Sequence, residues 1–407
     1  MDPDVLLAYA SRIENDLCQN ILPFWIERVV DQERGSFHGA LTNDLQIQRQ
    51  VERGALLTSR ILWTYSAAYR RYRDEAWLAM ADHAYADLLG RFHDAEHGGF
   101  FWSIAPDGSV LQPRKQIYGQ AFALYALAEY HLATRKPEPL DHAIELHRLI
   151  ETHATEPVHG GYLEATSRDW TPIADMRLSA VDLNEPKSQN THLHLMEAYA
   201  NLLRAWPDPT LRHALTRLVE IMITRILDPE TAHLGLFFAR DWSLRSNTVS
   251  YGHDIEAAWL LCDAADALGD SDLRSRVRSL AVKIADVTLA EGVDEDGGVF
   301  NAGSPDAAPN TNKEWWPQAE AVIGFLNAWQ IAGDERHLTA ALRTWDFIET
   351  RLIDRTHGEW LRGVTRDGEV LKDELKVSFW KCPYHNGRAA LEATARLRIL
   401  AESAGRA

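Results

Sequence analysis

The sequence predicts an all-α protein, an (α/α)6 barrel of six helical hairpins. Three observations lead there. Apolar residues recur at helical spacing in twelve segments, the joints between segments alternate between tight and long, and a glycine-led motif in the long joints returns at a nearly constant interval. Apolar positions at i, i+3 and i+4 mark one face of a helix. Leu124-Tyr-Ala-Leu-Ala-Glu-Tyr130 and Leu338-Thr-Ala-Ala-Leu-Arg-Thr-Trp345 are examples. The predicted helices cover 3–30, 54–72, 74–92, 115–134, 137–154, 189–206, 208–226, 252–269, 271–289, 316–333, 335–352 and 383–403.

The tight joints are Tyr72-Arg73-Asp74, Arg135-Lys-Pro137, Trp206-Pro-Asp-Pro209, Gly269-Asp270 and Gly333-Asp334. Their Asp, Pro and Gly residues stop one helix and cap the next. The long joints carry strand-like runs: Gly35-Ser-Phe, Gly98-Gly-Phe-Phe-Trp, Gly160-Gly-Tyr-Leu, Gly235-Leu-Phe-Phe, Gly297-Gly-Val-Phe and Gly358-Glu-Trp-Leu. Their first glycines lie 63, 62, 75, 62 and 61 residues apart. A steady period marks a repeat architecture, and repeated hairpins either stack as an open solenoid or close into a ring. The second helix of each hairpin opens with polar and aromatic residues, whereas the first is more plainly amphipathic. A closed barrel is therefore expected, with second helices inside and first helices outside. The long joints then gather over the N-termini of the inner helices, where a pocket is expected. No low-complexity linker interrupts the chain, so 1–407 reads as a single catalytic domain.

Composition narrows the function. A net charge of −17 argues against nucleic acid or an anionic membrane as partner. Cys18, Cys262 and Cys382 are too few and too scattered for a disulfide framework or a zinc knuckle. The N-terminus carries no signal-peptide pattern and no apolar run approaches ~20 residues, so a cytoplasmic protein, monomer or weak homodimer, is expected. Fourteen tryptophans supply flat apolar faces with a hydrogen-bonding edge, which suits sugar rings as well as a core.

The candidate site follows from the first turns of the inner helices. They offer Arg60; Tyr118 and Gln120; Asn190, His192 and His194; His253 and Glu256; Trp315 and Trp316; and Trp380, Tyr384, His385 and Arg388. His192 and His194, two apart, cannot both face the axis. Asn190 and His194, four apart, share a face, so His194 is taken for the site and His192 for structure. His253 and Glu256, three apart, share a face, and a carboxylate beside an imidazole can orient it. Two imidazoles flanking a substrate carbon could remove and return a proton, each contributing ~10²–10⁴-fold. Arg and Asn could hold a developing enediolate oxygen, and the helix N-termini favour the same anion. These groups point to proton transfer beside a sugar carbonyl. Two other uses stay open. Several histidines can bind a metal, although the one His-x-x-x-His pair, His93 and His97, falls in a loop. A glycosidase would need two placed carboxylates, for which Asp254, Glu256 and Glu314 are candidates. No nucleotide-binding glycine motif is present.

Four stretches resemble a known family. They are Asp182-Leu-Asn-Glu-Pro-Lys-Ser-Gln-Asn-Thr-His-Leu-His-Leu-Met-Glu-Ala-Tyr199, Ser250-Tyr-Gly-His-Asp-Ile-Glu256, Glu314-Trp-Trp-Pro-Gln-Ala-Glu320 and Trp380-Lys-Cys-Pro-Tyr-His-Asn-Gly-Arg388. In this order they resemble the cellobiose 2-epimerase family of the N-acylglucosamine 2-epimerase superfamily, over essentially the whole chain. The resemblance implies an (α/α)6 barrel and cofactor-independent, metal-free epimerisation at C2 of the reducing-end glucose of β-1,4-linked disaccharides such as cellobiose and lactose, through ring opening and a cis-enediolate. It implies that His253 and His385 are the acid/base pair and that Glu256 tunes His253. Arg60, Tyr118, Asn190 and His194 would hold the open-chain end. Trp316 and Trp380 would pack on the sugars, Trp380 nearest the non-reducing ring. Relatives acting on free mannose, or interconverting aldose and ketose, keep similar histidines and form the alternative.

Overall fold

The computed structural model describes residues 2–304 and 309–404. Outer and inner helices alternate along the chain. The first outer helix is α1 (Pro3–Asp16), continued through a π-helical turn at Leu17–Ile21 into α2 (Leu22–Arg28). The inner helices are α3 (Ala55–Tyr72), α5 (Ile117–Thr134), α7 (Gln189–Ala205), α9 (Tyr251–Leu268), α11 (Trp315–Ala332) and α13 (Tyr384–Ala404). Between them run the outer helices α4 (Glu75–Asp87), α6 (Pro137–His153), α8 (Pro209–Ile221), α10 (Ser271–Val287) and α12 (Glu335–Phe347). Every predicted helix is present within a few residues of its expected bounds.

The tight joints work as their residues require. Asp74, Asp208, Asp270 and Asp334 each accept a hydrogen bond from a first-turn amide of the outer helix that follows. Three of the inner helices before them end on left-handed residues, Arg73, Gly269 and Gly333, both glycines with φ of 69°, while α7 ends on the extended Trp206. Outer helices bury one stripe. In α8 it is Leu211, Ala214, Leu215, Leu218 and Val219, the spacing of a half-buried helix. Inner helices are buried all round; in α5 only His131 and Thr134 are not fully buried. They pack side by side in the order α3, α5, α7, α9, α11, α13 and back to α3, so the ring closes. One difference from expectation is that α1, α4, α8, α10 and α12 all end in π-helical turns, at Leu17–Ile21, Leu88–Phe92, Met222–Ile226, Thr288–Gly292 and Ile348–Leu352. The longer i→i+5 ring widens the last turn as the chain leaves for the long joint, and no apolar pattern announces it.

The long joints also close a ring. After a hairpin of β1 (Val30–Asp31) and β2 (Ser36–Phe37), the segment just before each inner helix pairs antiparallel with the long joint of the next repeat. β3 (Arg53–Gly54) pairs with β4 (Ser103–Ile104), which also carries β5 (Val110–Gln112). β6 (Lys115–Gln116) pairs with β7 (Ala165–Thr166), and β8 (Lys187–Ser188) with β9 (Phe237–Phe238). Val249 bridges to Gly303, and β10 (Lys313–Glu314) pairs with β11 (Gly363–Val364). Val377 then bridges to Leu41 in the first repeat. The collar holds the first turn of each inner helix at one height over the barrel mouth.

Candidate active site

The fourth residue of an inner helix fastens the collar. Gln120 accepts from the Phe100 amide at 2.9 Å and donates to the Phe100 carbonyl at 2.7 Å. Gln318 does the same to Val299, at 2.6 and 2.7 Å. His192 Nε2 accepts from the Tyr162 amide at 2.9 Å, while its Nδ1 donates to the Ser188 carbonyl at 2.7 Å. Asp254 accepts from the Leu234 amide at 2.9 Å and from His233 at 2.7 Å. The close approach excludes a side chain on the loop: a Cβ at Gly161 would lie 2.8 Å from His192 Nε2. His192 is thus structural, as its phase implied. Gln120, expected among the mouth residues, faces the collar instead, and Asp254 is turned away from the axis, which removes one glycosidase candidate.

Other residues of the first two turns face the axis. A cavity of about 180 Å³ is lined by Arg60, Tyr118, Asn190, His194, His253, Glu256, Trp316, Trp380 and His385, together with Glu314, Trp315 and Arg362. All nine residues to which the resemblance gives a role line this one cavity. Three histidines share it, each with Nδ1 engaged. His194 Nδ1 meets Glu197 at 2.9 Å, His385 Nδ1 meets Glu320 at 2.6 Å, and His253 Nδ1 meets the Ser250 hydroxyl at 2.8 Å. Among the described residues no side chain or backbone group hydrogen-bonds any of the three Nε2 atoms. An engaged Nδ1 sets the tautomer and leaves Nε2 for chemistry.

One expectation is corrected here. Glu256 does not orient His253. Its Oε1 accepts from Arg388 Nη2 at 2.6 Å and lies 3.9 Å from His385 Nδ1. On a helix, residues three apart share a face only roughly, and the Arg388 guanidinium draws the Glu256 carboxylate across the barrel. Arg388 is the hub that sequence reasoning noted but did not use. It donates to Glu197, to Glu256 and to Glu320, the last at 2.6 Å, and so joins the His194–Glu197 and His385–Glu320 pairs. Tyr384 donates to Glu197 at 2.6 Å. Glu197 and Glu320 had a signal available: Glu197 is three residues after His194, and Glu320 lies one turn beyond Trp316 on the same helix.

Electrostatics follow from this burial. Burial, then the neighbouring His194, draws the pKa of His253 down to about 3, although its ring edge opens on the cavity. His385 is held well below the ordinary value, by burial first and then by Arg60 and Arg388. The pocket imidazoles are therefore neutral and able to accept a proton. Burial and the adjacent Glu320 push the Glu256 carboxyl well up, against the pull of Arg388. Burial opposes the charge of Glu197 most strongly, yet Arg388 and His194 outweigh it and bring the carboxyl to about 2.

Arg60 faces the cavity with no carboxylate partner. It donates to the Tyr118 hydroxyl at 2.6 Å and to the Trp380 carbonyl at 3.3 Å, and lies 3.9 Å from the Cys382 sulfur. Arg60 Nε, Asn190 Oδ1 and Glu256 Oε2 are buried polar atoms without a protein partner. Such groups are rare in folded proteins, and here these three and Trp315 Nε1 belong to the lining of one cavity. Trp316 stands between the two histidines, its ring 4.7 Å from His253 and 5.7 Å from His385. It packs over Gly252, where a Cβ would lie 2.5 Å from the indole. On the far side of Trp380 a second cleft of about 420 Å³ opens, walled by Trp102 and Phe379 and edged by Glu52, Arg114, Asp175 and Arg177.

An (α/α)6 barrel whose mouth gathers neutral histidines, an unpaired arginine and stacking tryptophans is the frame of an acid–base enzyme for a polar ring. Comparison with known proteins agrees. Residues 35–386 match the family described as N-acylglucosamine 2-epimerase (GlcNAc 2-epimerase). A cellobiose 2-epimerase of Bacteroides fragilis is 44% identical over 94% of this chain and 97% of its own. Another, from Dictyoglomus turgidum, is 37% identical over 95% and 98%. The solved cellobiose 2-epimerase of Bacillus thermoamylovorans superposes with a TM-score of 0.90 at 36% identity, covering 96% of this chain and 99% of that one. The chain belongs to the N-acylglucosamine 2-epimerase family.

Proposed function

We propose that the protein epimerises C2 of the reducing-end glucose of β-1,4-linked disaccharides, converting cellobiose to glucosyl-mannose and acting likewise on lactose. The observation that carries this reading is the shared cavity itself. Two neutral histidines, His253 and His385, flank Trp316, and unpartnered polar atoms wait on the walls. After ring opening, Nε2 of one histidine takes the C2 proton and the electron pair moves onto C1–O1, forming a cis-enediolate. The other histidine, carrying on Nε2 a proton taken up from solvent, returns it to the opposite face of C2, so the first ends protonated and the second neutral until both exchange with water. Arg60, positively charged and free of any carboxylate, stabilises the enediolate oxygens, since a preorganised cation acts most strongly where charge develops. Asn190, His194 and Tyr118 hold the open-chain hydroxyls. His385 draws on Glu320 as its proton partner, and Glu256, whose Oε2 has no protein partner, faces the sugar.

The cleft beyond Trp380 favours a disaccharide over free mannose. Trp102, Phe379 and Trp380 form an aromatic corner with ring centres 4.8–6.1 Å apart, enough for a second ring to stack on. Proton NMR of cellobiose incubated with the protein in D₂O tests the reading. Glucosyl-mannose carrying deuterium at C2 of the reducing-end sugar is expected, and His253→Ala or His385→Ala should lower the rate by ~10²–10⁴-fold. Released glucose would replace epimerisation with hydrolysis, and turnover of mannose alone would move the activity to monosaccharides.

A further inference from the structure

Away from the catalytic cavity, the long joint after α4 folds back against α6. His93 follows the π-helical turn Leu88–Phe92 in extended conformation and bridges to Phe100, which fixes its backbone. Its imidazole meets that of His142 on α6 edge-on, with ring centres 5.4 Å apart. Glu145, one turn further along α6, places Oε2 4.0 Å from His142 Nδ1. One donor atom from each of the three lies within 4.8 Å of the other two. Around a tetrahedral zinc ion with bonds of ~2.0–2.2 Å, donors sit roughly 3.4 Å apart, so small side-chain rotations complete the set. The His-x-x-x-His spacing of His93 and His97 does not bring that pair together. In the fold, His97 turns to Glu96 at 3.7 Å, and His142 takes its place.

Among the described residues two other His–carboxylate sets bring one donor atom of each member within 4.8 Å, and in each an arginine already pairs with the carboxylates. Arg336 pairs with Asp286 and Asp334 beside His337, and Arg388 pairs with Glu256 and Glu320 beside His385. The His93 cluster differs. Among the described residues no lysine or arginine pairs with any of its members, and no protein group hydrogen-bonds the His93 ring nitrogens. Two imidazoles and a carboxylate facing one point, with no cation between them, are a donor set for a borderline-soft divalent ion. We propose that His93, His142 and Glu145 bind a divalent transition-metal ion such as zinc, with water in the fourth position, and so tie α6 to the joint behind α4.

The test uses the full chain stripped of metal and equilibrated with zinc alone. One zinc per chain is expected, with a rise in Tm. His142→Gln and Glu145→Gln should each weaken binding by roughly tenfold or more, at least what loss of an outer partner costs, while cellobiose turnover stays unchanged. Cobalt in place of zinc should give the visible absorption of a tetrahedral ion in the parent chain and not in His93→Gln. Equal zinc affinity in parent and variants, or no saturable binding in the parent, overturns the site. Because none of the three residues lines the catalytic cavity, this outcome is independent of whether cellobiose is turned over.

Discussion

At the scale of single residues, the partners of the three pocket histidines are unequal. His194 and His385 each lean on a carboxylate tied to Arg388, whereas His253 leans on the Ser250 hydroxyl alone. A hydroxyl fixes orientation without adding negative charge, so His253 is positioned without being made more basic by a carboxylate. Ser250→Ala removes one hydrogen bond of ~0.5–1.5 kcal/mol. The expected result is a kcat lower by roughly 3–10-fold with KM little changed, and Ser250→Thr should restore most of it. An unchanged kcat would show that packing against Trp316 alone holds the ring. The sequence exposed the pocket residues because each lies in the first turns of an inner helix. It could not expose the correct partner of Glu256, because Arg388 reaches that carboxylate from a helix 132 residues away.

At the scale of elements, the collar and the inner helices meet through the fourth helical residue. Gln120, His192, Asp254 and Gln318 differ in chemistry but do the same task, each receiving the amide of one loop residue. The glutamines also serve the carbonyl of that residue, which Leu cannot. Gln318→Leu leaves the Val299 amide and carbonyl buried without partners, a cost of ~1–3 kcal/mol for each group left unpaired. Urea unfolding should show a lower midpoint at unchanged slope. The same loop bears Lys313, which anchors it through Asp294 at 2.8 Å, so activity should fall less than stability. Helix existence and order were legible from apolar spacing and Asp caps. Strand-like runs in the long joints were legible too, as at Ser36–Phe37 and Phe237–Phe238, but the π-helical ends and the pairing of the strands were not, since both depend on where a neighbouring repeat presents its backbone.

At the scale of the whole molecule, stability and pH are coupled through the buried imidazoles. His192 is drawn down to about 4 and His253 to about 3, in both cases by burial first. In the unfolded chain a histidine binds its proton near pH 6.5, so between about 6.5 and those folded values the unfolded state carries more protons. Stability is then complete above about pH 6.5 and declines as pH falls through this window, by ~1 kcal/mol per unit for each such histidine. Thermal melts from pH 7.5 to 4.5 should show a steady fall in Tm, and His192→Gln should flatten part of it. A Tm constant across this range would mean the imidazoles are already charged in the fold. Catalysis should persist below pH 6.5 for the same reason, because the pocket histidines stay neutral there.

The amino-acid sequence by itself determined the helices, their alternation, the six-fold period and the set of side chains brought to the barrel mouth. These follow from local propensity, from apolar phase and from caps a few residues away. The tertiary structure decided the pairings: Arg388 among three glutamates, Ser250 rather than Glu256 behind His253, His142 rather than His97 beside His93, and Val377 closing the collar on Leu41. The first joins facing helices, the third ties a long joint to α6, the fourth joins the two ends of the ring, and Ser250 reaches His253 within one turn of α9 while Arg388 holds Glu256 elsewhere. Periodicity gives the face of a helix. Ring closure and burial select which charged groups on those faces meet, because a buried charge must find its partner wherever the fold has placed one.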